Sequence, residues 1–193
     1  MKTLIVAVMI VAASSLAFAQ AEHLIEGDIE SGGFGGPVLK VTSLAGTTGV
    51  LVGGRGGWII NHSFVLGGGG YGLVNYVKAA TPGPNGEPYI NFGYGGLELE
   101  YIHNWDKMVH FSLGLLVGAG GVGHRGEYNS GDVNTRGFFV MEPWAEAHLN
   151  IVEFFRISGG ISYRWVTGAD SPVASDGQLS GVAGILTLRF GSF

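Results

Sequence analysis

The amino-acid sequence predicts an all-β protein: an N-terminal signal peptide followed by a single antiparallel, up-and-down, eight-stranded transmembrane β-barrel. Three observations predict this fold class. The chain begins with a pattern typical of export signals. It is 46% hydrophobic and only 13% charged, yet it contains no long apolar run after that signal. Its apolar residues recur with a period of two over several consecutive segments, which indicates strands with one apolar and one polar face.

The first residues predict a secretory signal peptide over residues 1–19. Lys2 supplies a positive charge, residues 4–13 form a short apolar stretch, and Ala17-Phe18-Ala19 places small residues before the cleavage site. The apolar stretch is too short to span a bilayer comfortably, and no later segment is long enough to do so. The sequence therefore predicts a mature chain that starts at Gln20 and excludes a helical membrane protein.

The composition indicates that apolar surface faces something other than water, because soluble domains usually carry about 25% charged residues. A transmembrane barrel accounts for this, since its apolar residues alternate with polar ones and never form a long run. The 36 glycines show no Gly-X-Y period and fall mostly inside apolar segments, where they let curved strands bend. The absence of cysteine excludes a disulfide scaffold. A net charge of −5 gives no support for nucleic-acid binding.

A Gly-rich periplasmic lead-in is predicted over residues 20–36 and the barrel over residues 37–193. Short connections alternate with long polar loops at 78–88, 122–135 and 167–178, which predicts both termini in the periplasm and these loops outside. The connection at 45–47 is an exception, because it should be an outer loop but is short. The first strand segment is also short, which leaves room for it to extend back into the lead-in. The eight predicted segments are 37–44, 48–60, 64–77, 89–102, 109–121, 136–150, 154–166 and 179–190.

Alternation is clearest in the last four segments; in the fifth, Val109 and Phe111 share one face while His110 and Ser112 share the other. The third segment contains four consecutive glycines and has no readable phase. The fourth is predicted to slip phase through a bulge at Gly95-Gly96. Aromatic residues near the segment ends match the two interfacial girdles of a membrane barrel. They are Trp58, Phe64, Tyr76, Tyr89, Tyr101, Trp105, Phe138, Phe154, Trp165 and Phe190.

The last segment resembles the closing strand of bacterial outer-membrane barrels. Leu186, Leu188 and Phe190 alternate, and Phe193 is terminal. Together with the signal peptide and the eight segments, the whole mature chain resembles the small OmpA/OmpX-type barrels. The resemblance implies a location in the outer membrane, contact with outer-membrane lipid, and recognition of Phe193 by the barrel assembly machinery. It is a resemblance of architecture and implies little about activity.

The polar faces are predicted to place a cluster of charged side chains in the lumen. An eight-stranded barrel is just wide enough for its own side chains to fill, and isolated buried charge is costly, so opposite charges should pair there. We therefore predict a lumen plugged by ion pairs; a narrow path for protons or small solutes is the alternative. The predicted cluster comprises Lys40, Arg55, Glu98, Glu100, Glu142, Glu146, His148, Arg156, Arg164 and Arg189, with His110 on the same face.

His110 and Ser112 point the same way on a strand, as a nucleophile and its base must. This spacing resembles that of the barrel lipid A deacylases, which use a His-x-Ser pair together with a glutamate on a nearby strand. Two features oppose that function here: His110 follows a short turn, so it should lie at the periplasmic end, and the pair faces the lumen. The sequence therefore predicts no enzyme, with a lipid-modifying activity of His110 and Ser112 as an alternative.

No pattern in the sequence requires a cofactor or a metal. Residues 118–123 match G-x-G-x-x-G, but a polar loop follows where a nucleotide site needs a helix. Glu127, Asp132 and Asn134 could ligate calcium weakly, although a solvated loop is the preferred interpretation. The predicted function is a structural or surface-interaction barrel whose surface ligand the sequence does not identify. A soluble periplasmic barrel of lipocalin type is the alternative at the level of the fold.

Overall fold

The computed structural model describes residues 30–83, 89–125, 133–169 and 171–193. Each strand pairs antiparallel with the next, and β8 pairs with β1, so the sheet closes into a barrel. This confirms the predicted fold class. The signal peptide predicted at residues 1–19 lies outside the described residues. The strands are β1 Ser31–Leu44, β2 Thr47–Ile60, β3 Phe64–Leu73, β4 Tyr89–His103, β5 Val109–Arg125, β6 Val133–Val152, β7 Phe155–Thr167 and β8 Gly181–Ser192, with a short helix α1 Asp176–Leu179 before β8.

Several strand ends differ from the sequence-based bounds. β1 begins at Ser31 and not at Pro37, because the Gly-rich backbone before Pro37 already pairs with β2 and with β8. β3 ends at Leu73, four residues earlier than predicted. β5 continues to Arg125 and β6 starts at Val133, so much of the loop predicted at 122–135 belongs to strands. In the part of the chain that the structure describes, no helix is long and apolar enough to cross a bilayer.

The short connection between β1 and β2 is a tight two-residue turn. Ala45 and Gly46 both have positive φ, 49° and 75°, which is the backbone conformation of a type I′ hairpin turn. The amide of Ala45 also donates a hydrogen bond of 3.0 Å to the carbonyl of Gln178 in α1. The short turn is therefore bonded to the connection between β7 and β8.

The bulge predicted at Gly95-Gly96 is wrong. β4 pairs with β3 and with β5 without a register shift. Ile90, Phe92 and Tyr94 are buried on the same face of β4 as Glu98, so the lumen face changes from apolar to acidic along one regular strand. The alternation of polarity is lost there because the lumen itself is apolar toward that end. Register shifts among the described residues occur instead in the β5–β6 and β6–β7 pairings.

The outward face of the barrel is a belt of exposed apolar side chains. Leu97 is 70% exposed and Leu113 and Ile161 are each 64% exposed, while the charged side chains of the same strands point inward. This polarity is the reverse of that of a water-soluble barrel, so the lipocalin-type alternative is wrong. In a closed barrel the backbone N–H and C=O groups of every strand are hydrogen-bonded to neighbouring strands, and the apolar belt can contact the hydrocarbon core of a bilayer. The strands therefore cross a membrane.

The aromatic girdles lie at the two ends of the belt. Trp58, Phe64 and Tyr101 are exposed near the end that holds both chain termini, the terminal end; Tyr76 and Trp165 are exposed near the opposite end, the loop end. Phe138 does not belong to a girdle. It is 5% exposed, faces the lumen and stacks on Phe92 with ring centroids 5.4 Å apart.

Candidate functional site: the lumen

The side chains buried in the lumen form layers along the barrel axis. At the terminal end lies a small apolar cluster of Phe34, Ile59, Val65 and Ile102, with Phe193 packed against it. A layer of charged groups follows. At the opposite end lies a larger apolar group, the loop-end cluster, which includes residues of the β7–β8 loop. The loop-end cluster is the part of a longer apolar core that comprises Leu44, Leu51, Leu73, Val77, Ile90, Val122, Val166, Ala169, Val173, Ala174 and Leu179. The same core continues beside the charged groups through Trp144 and Ile185.

Arg55 is the centre of the charged layer and binds carboxylates from two other strands. Its Nε lies 2.9 Å from Oε2 of Glu98, its Nη2 3.2 Å from Oε2 of Glu100, and its Nη1 3.0 Å from Oε2 of Glu146. The guanidinium carbon is 4.3 Å from the ring centroid of Trp144. All four charged side chains are buried. This geometry satisfies the ionised groups in the lumen through multiple charge-assisted hydrogen bonds.

Arg189, from β8, shares two of these carboxylates. Its Nη2 is 2.8 Å from Oε1 of Glu100 and 3.0 Å from Oε2 of Glu146. Thr187 donates to Oε1 of Glu146 at 3.2 Å. The carboxylates of Glu100 and Glu146 each contact two arginines, so β2, β4, β6 and β8 are connected across the lumen.

A second group of polar contacts surrounds Glu142. Lys40 Nζ lies 2.9 Å from Oε2 of Glu142, Tyr94 donates to the same oxygen at 2.6 Å, and Ser162 donates to Oε1 at 2.5 Å. Lys40 Nζ also lies 3.5 Å from the ring centroid of Tyr71. The Tyr71 hydroxyl donates to Oε1 of Glu98 at 2.7 Å and thereby links this group to Arg55.

Ser112 pairs with His148 and not with His110. Ser112 Oγ lies 2.7 Å from Nε2 of His148, and the same Nε2 lies 3.6 Å from Oε1 of Glu100. A catalytic triad needs the serine and the carboxylate on opposite ring nitrogens. His110 stacks on His148 at 4.9 Å between centroids, and its Nδ1 lies 3.1 Å from the Lys107 carbonyl. The pair predicted between His110 and Ser112 is therefore not formed, and all three side chains are buried in the lumen.

Arg156 and Arg164 face the lumen at its two ends. Arg156 lies at the terminal end with its guanidinium carbon 4.0 Å from the Phe193 ring centroid, and Arg164 lies toward the loop end. Within the described ranges, neither arginine has a carboxylate at ion-pair distance. All ten charged residues predicted for the lumen are buried there, but these two do not take part in the ion pairs.

Phe193 follows the lumen phase of β8. Its ring stacks on Phe34 with centroids 6.4 Å apart, whereas Phe190 is 46% exposed on the outer face. Of these two C-terminal phenylalanines, Phe190 therefore lies on the membrane-facing surface of the barrel. Recognition of Phe193 by the assembly machinery stays a prediction.

One trio in the lumen has the spacing of a metal site. Ligand atoms of Glu100, Glu146 and His148 all lie within 4.8 Å of one another. Both carboxylates are already bound by Arg55 and Arg189, whose positive charges oppose a cation at this position. The trio therefore fits an ion-pair network better than a metal centre. Glu127 and Asp132, named as weak calcium ligands, lie outside the described residues.

The glycines at lumen positions make room for large neighbours. A Cβ on Gly114 would lie 2.2 Å from the Trp144 ring, and one on Gly120 would lie 2.4 Å from the Phe138 ring. The two glycines are the direct cross-strand partners of Trp144 and Phe138. Sequence reasoning did not identify these lumen aromatics, and the signal that marks them is a glycine opposite a bulky residue. The G-x-G-x-x-G pattern at 118–123 also lies inside β5, where its backbone pairs with neighbouring strands.

No protein-family model matches the sequence, and no curated protein matches it in sequence. Solved structures do match. The N-terminal β-barrel domain of OprF from Pseudomonas aeruginosa has a TM-score of 0.56 at 12% identity and covers 83% of this chain and 96% of that chain. Neisserial surface protein A gives 0.52 at 13% identity, with coverage of 86% and 99%. Ail of Yersinia pestis, crystallised with the heparin analogue sucrose octasulfate, gives 0.50 at 13% identity, with coverage of 86% and 99%.

At these identities the likeness concerns the fold. The closed eight-stranded topology, the outward apolar belt and the structural matches agree. The protein is a small eight-stranded transmembrane β-barrel that has the fold of these outer-membrane proteins.

Proposed function

We propose that this protein is a non-enzymatic outer-membrane barrel with a plugged lumen, which presents its long loops to the surroundings of the cell. The observation that carries the proposal is the ion-pair network around Arg55 and Glu142, enclosed between two apolar clusters. Breaking a buried ion pair leaves an uncompensated charge, so a continuous path for water would require an unfavourable rearrangement. A rigid barrel of this kind serves as a support for its loops.

The plug predicts that the folded protein does not conduct. In planar bilayers, we expect the refolded protein to give no conductance steps above background, because the ion pairs and the apolar clusters fill the lumen. A general porin in the same bilayers serves as the positive control, and a boiled sample as the negative one. Reproducible steps that disappear on boiling would contradict the plug and favour a small-solute channel.

A non-enzymatic role predicts that lipid chemistry does not depend on Ser112. This serine faces the lumen and contacts the wrong nitrogen of His148 for a triad, so we expect no acyl transfer or hydrolysis. Mass spectrometry of lipid A and phospholipids should give identical acyl chains in cells that express the wild type, Ser112→Ala or neither. An acyl change in wild-type cells that Ser112→Ala abolishes would establish the enzyme instead.

The described residues at the loop end favour an anionic saccharide as the surface ligand. Lys78 and Arg136 are exposed there, and Arg125 lies 5.1 Å from the ring centroid of Tyr76, which in turn packs on Tyr89 at 4.8 Å. Cations beside aromatic rings suit sulfated or phosphorylated sugars. The Ail barrel was crystallised with such a polyanion, sucrose octasulfate. We propose that the loop end of this barrel binds ligands of the same chemical class.

Calorimetry of the folded barrel with sucrose octasulfate tests this surface. The combined changes Lys78→Gln, Arg125→Gln and Arg136→Gln should weaken binding about tenfold, since partly exposed ion pairs contribute roughly 0.2–1 kcal/mol each. Lys107→Gln, in the turn at the terminal end, is the matched control and should bind as the wild type does. If the wild type does not bind sucrose octasulfate, the proposed anionic ligand is wrong. The plugged lumen is a separate proposal, which the bilayer recordings test.

A further inference from the structure

Arg164 is a buried cation whose charge the ion-pair network does not use. The side chain is 0% exposed, and its Nε donates a hydrogen bond of 2.8 Å to the carbonyl of Leu179. Its Nη1 and Nη2 atoms are buried and make no hydrogen bond of regular geometry to the described residues; the Tyr94 hydroxyl, which donates to Glu142, lies close to the guanidinium. Buried polar groups are nearly always hydrogen-bonded, and an unpaired buried charge is more costly still. The two terminal nitrogens therefore require an acceptor.

The carboxylates of the lumen are already engaged elsewhere. Both oxygens of Glu142 are bound, by Lys40 and Tyr94 on one side and by Ser162 on the other. Among the described side chains buried in the lumen, and with neutral histidines, five cations face four carboxylates, which leaves one positive charge in excess. The cations are Lys40, Arg55, Arg156, Arg164 and Arg189, and the carboxylates are Glu98, Glu100, Glu142 and Glu146.

Toward the terminal end, Arg55, Arg156 and Arg189 equal Glu98, Glu100 and Glu146 in number, and Lys40 pairs with Glu142. Arg164 is left without a buried carboxylate partner among the described residues, and the half-buried Asp176 of α1 binds the amides of Gly168 and Ala169. The Phe92 and Tyr94 rings lie 5.1 Å and 5.6 Å from the Arg164 guanidinium carbon and stabilise its flat face. Ring faces do not satisfy the N–H donors, which lie in the plane of the guanidinium.

We propose that Nη1 and Nη2 of Arg164 form a buried binding site for a small monovalent anion of the halide class. Water could accept the hydrogen bonds but would leave the charge uncompensated, whereas an anion does both. The anion must be small because the loop-end cluster encloses this part of the lumen with apolar side chains, among them Val166 and Leu179. Since the same guanidinium holds the Leu179 carbonyl, bound anion also fixes the β7–β8 loop across the mouth of the barrel.

Two measurements on the full-length folded protein test the site. In crystals soaked with bromide, we expect an anomalous peak within hydrogen-bonding distance of Nη1 or Nη2. In detergent at constant ionic strength, replacing gluconate by chloride or bromide at about ten times the Kd should slow heat unfolding about tenfold, because the anion binds the folded state and must leave before the barrel opens. Unfolding is followed by the loss of the faster-migrating folded band on gels.

Variants separate the site from general effects of salt. Arg164→Gln should abolish the halide dependence, whereas Arg156→Gln, which removes the other unpaired lumen arginine, should retain it. If Arg164→Gln does not fold, the bromide peak in wild-type crystals decides the question. Bromide found only on the protein surface, or equal halide dependence in Arg164→Gln and the wild type, overturns the proposal.

Discussion

Replacing Arg55 by glutamine is expected to lower the free energy of unfolding by about 3–5 kcal/mol, the usual cost of removing one partner from a buried ion pair. Arg55 is the only cation that contacts Glu98 among the described residues, while Glu100 and Glu146 retain Arg189. The variant therefore leaves one carboxylate of the lumen without a positive partner. Urea unfolding in lipid vesicles, followed by tryptophan fluorescence, measures the loss.

A matched surface variant and a double variant make this result specific. Lys107→Gln removes an exposed pair with Asp106, 3.0 Å apart, and should leave the free energy of unfolding unchanged within error. Arg55→Gln combined with Glu98→Gln should recover part of the stability, because the double variant contains no unpaired charge at that position. A loss below about 1 kcal/mol in Arg55→Gln would mean that the lumen pairs contribute little and that the plug rests on the apolar clusters.

The sequence predicts the strands well wherever the lumen face is polar. In β7, Arg156 and Arg164 alternate with outward Ile157 and Trp165, and the structure has the same phase. In β3, glycine has no side chain to mark a face, so only the pairing of Gly70 with Gly54 and Gly95 fixes the phase. Alternation of polarity therefore identifies strands, but it does not identify an apolar stretch of lumen.

Partners in the lumen could not be predicted, because they depend on register between distant strands. Arg55 meets Glu98 across 43 residues and Glu146 across 91 residues of sequence. Ser112 lies beside His148 because β5 and β6 place His110 directly opposite His148. The spacing of His110 and Ser112 within one strand carries no information on this cross-strand contact. Which charges enter the lumen follows from local alternation, and which charges pair follows only from barrel closure.

The second large effect is expected at Gly36, where β1 pairs with β8 and closes the barrel. A Cβ at Gly36 would lie 1.7 Å from the carbonyl oxygen of Leu188, and that oxygen belongs to the backbone. No side-chain rotation can relieve this overlap, so the two strands would have to separate where the barrel closes. Gly36→Ala is expected to lower the free energy of unfolding by at least about 3 kcal/mol, the upper part of the range for overpacking.

The adjacent Gly35 is the matched control, since a Cβ there meets nothing within 4 Å. Gly35→Ala should be neutral or stabilise the barrel by about 0.5–1 kcal/mol, because alanine loses less backbone entropy than glycine in a strand. Urea unfolding and the folded band on unboiled gels measure both variants. If Gly36→Ala folds and unfolds as Gly35→Ala does, the seam tolerates a side chain and β1 must be able to shift away from β8. If only Gly36→Ala loses the folded band, close approach of the two backbones at Gly36 is a condition of closing the barrel.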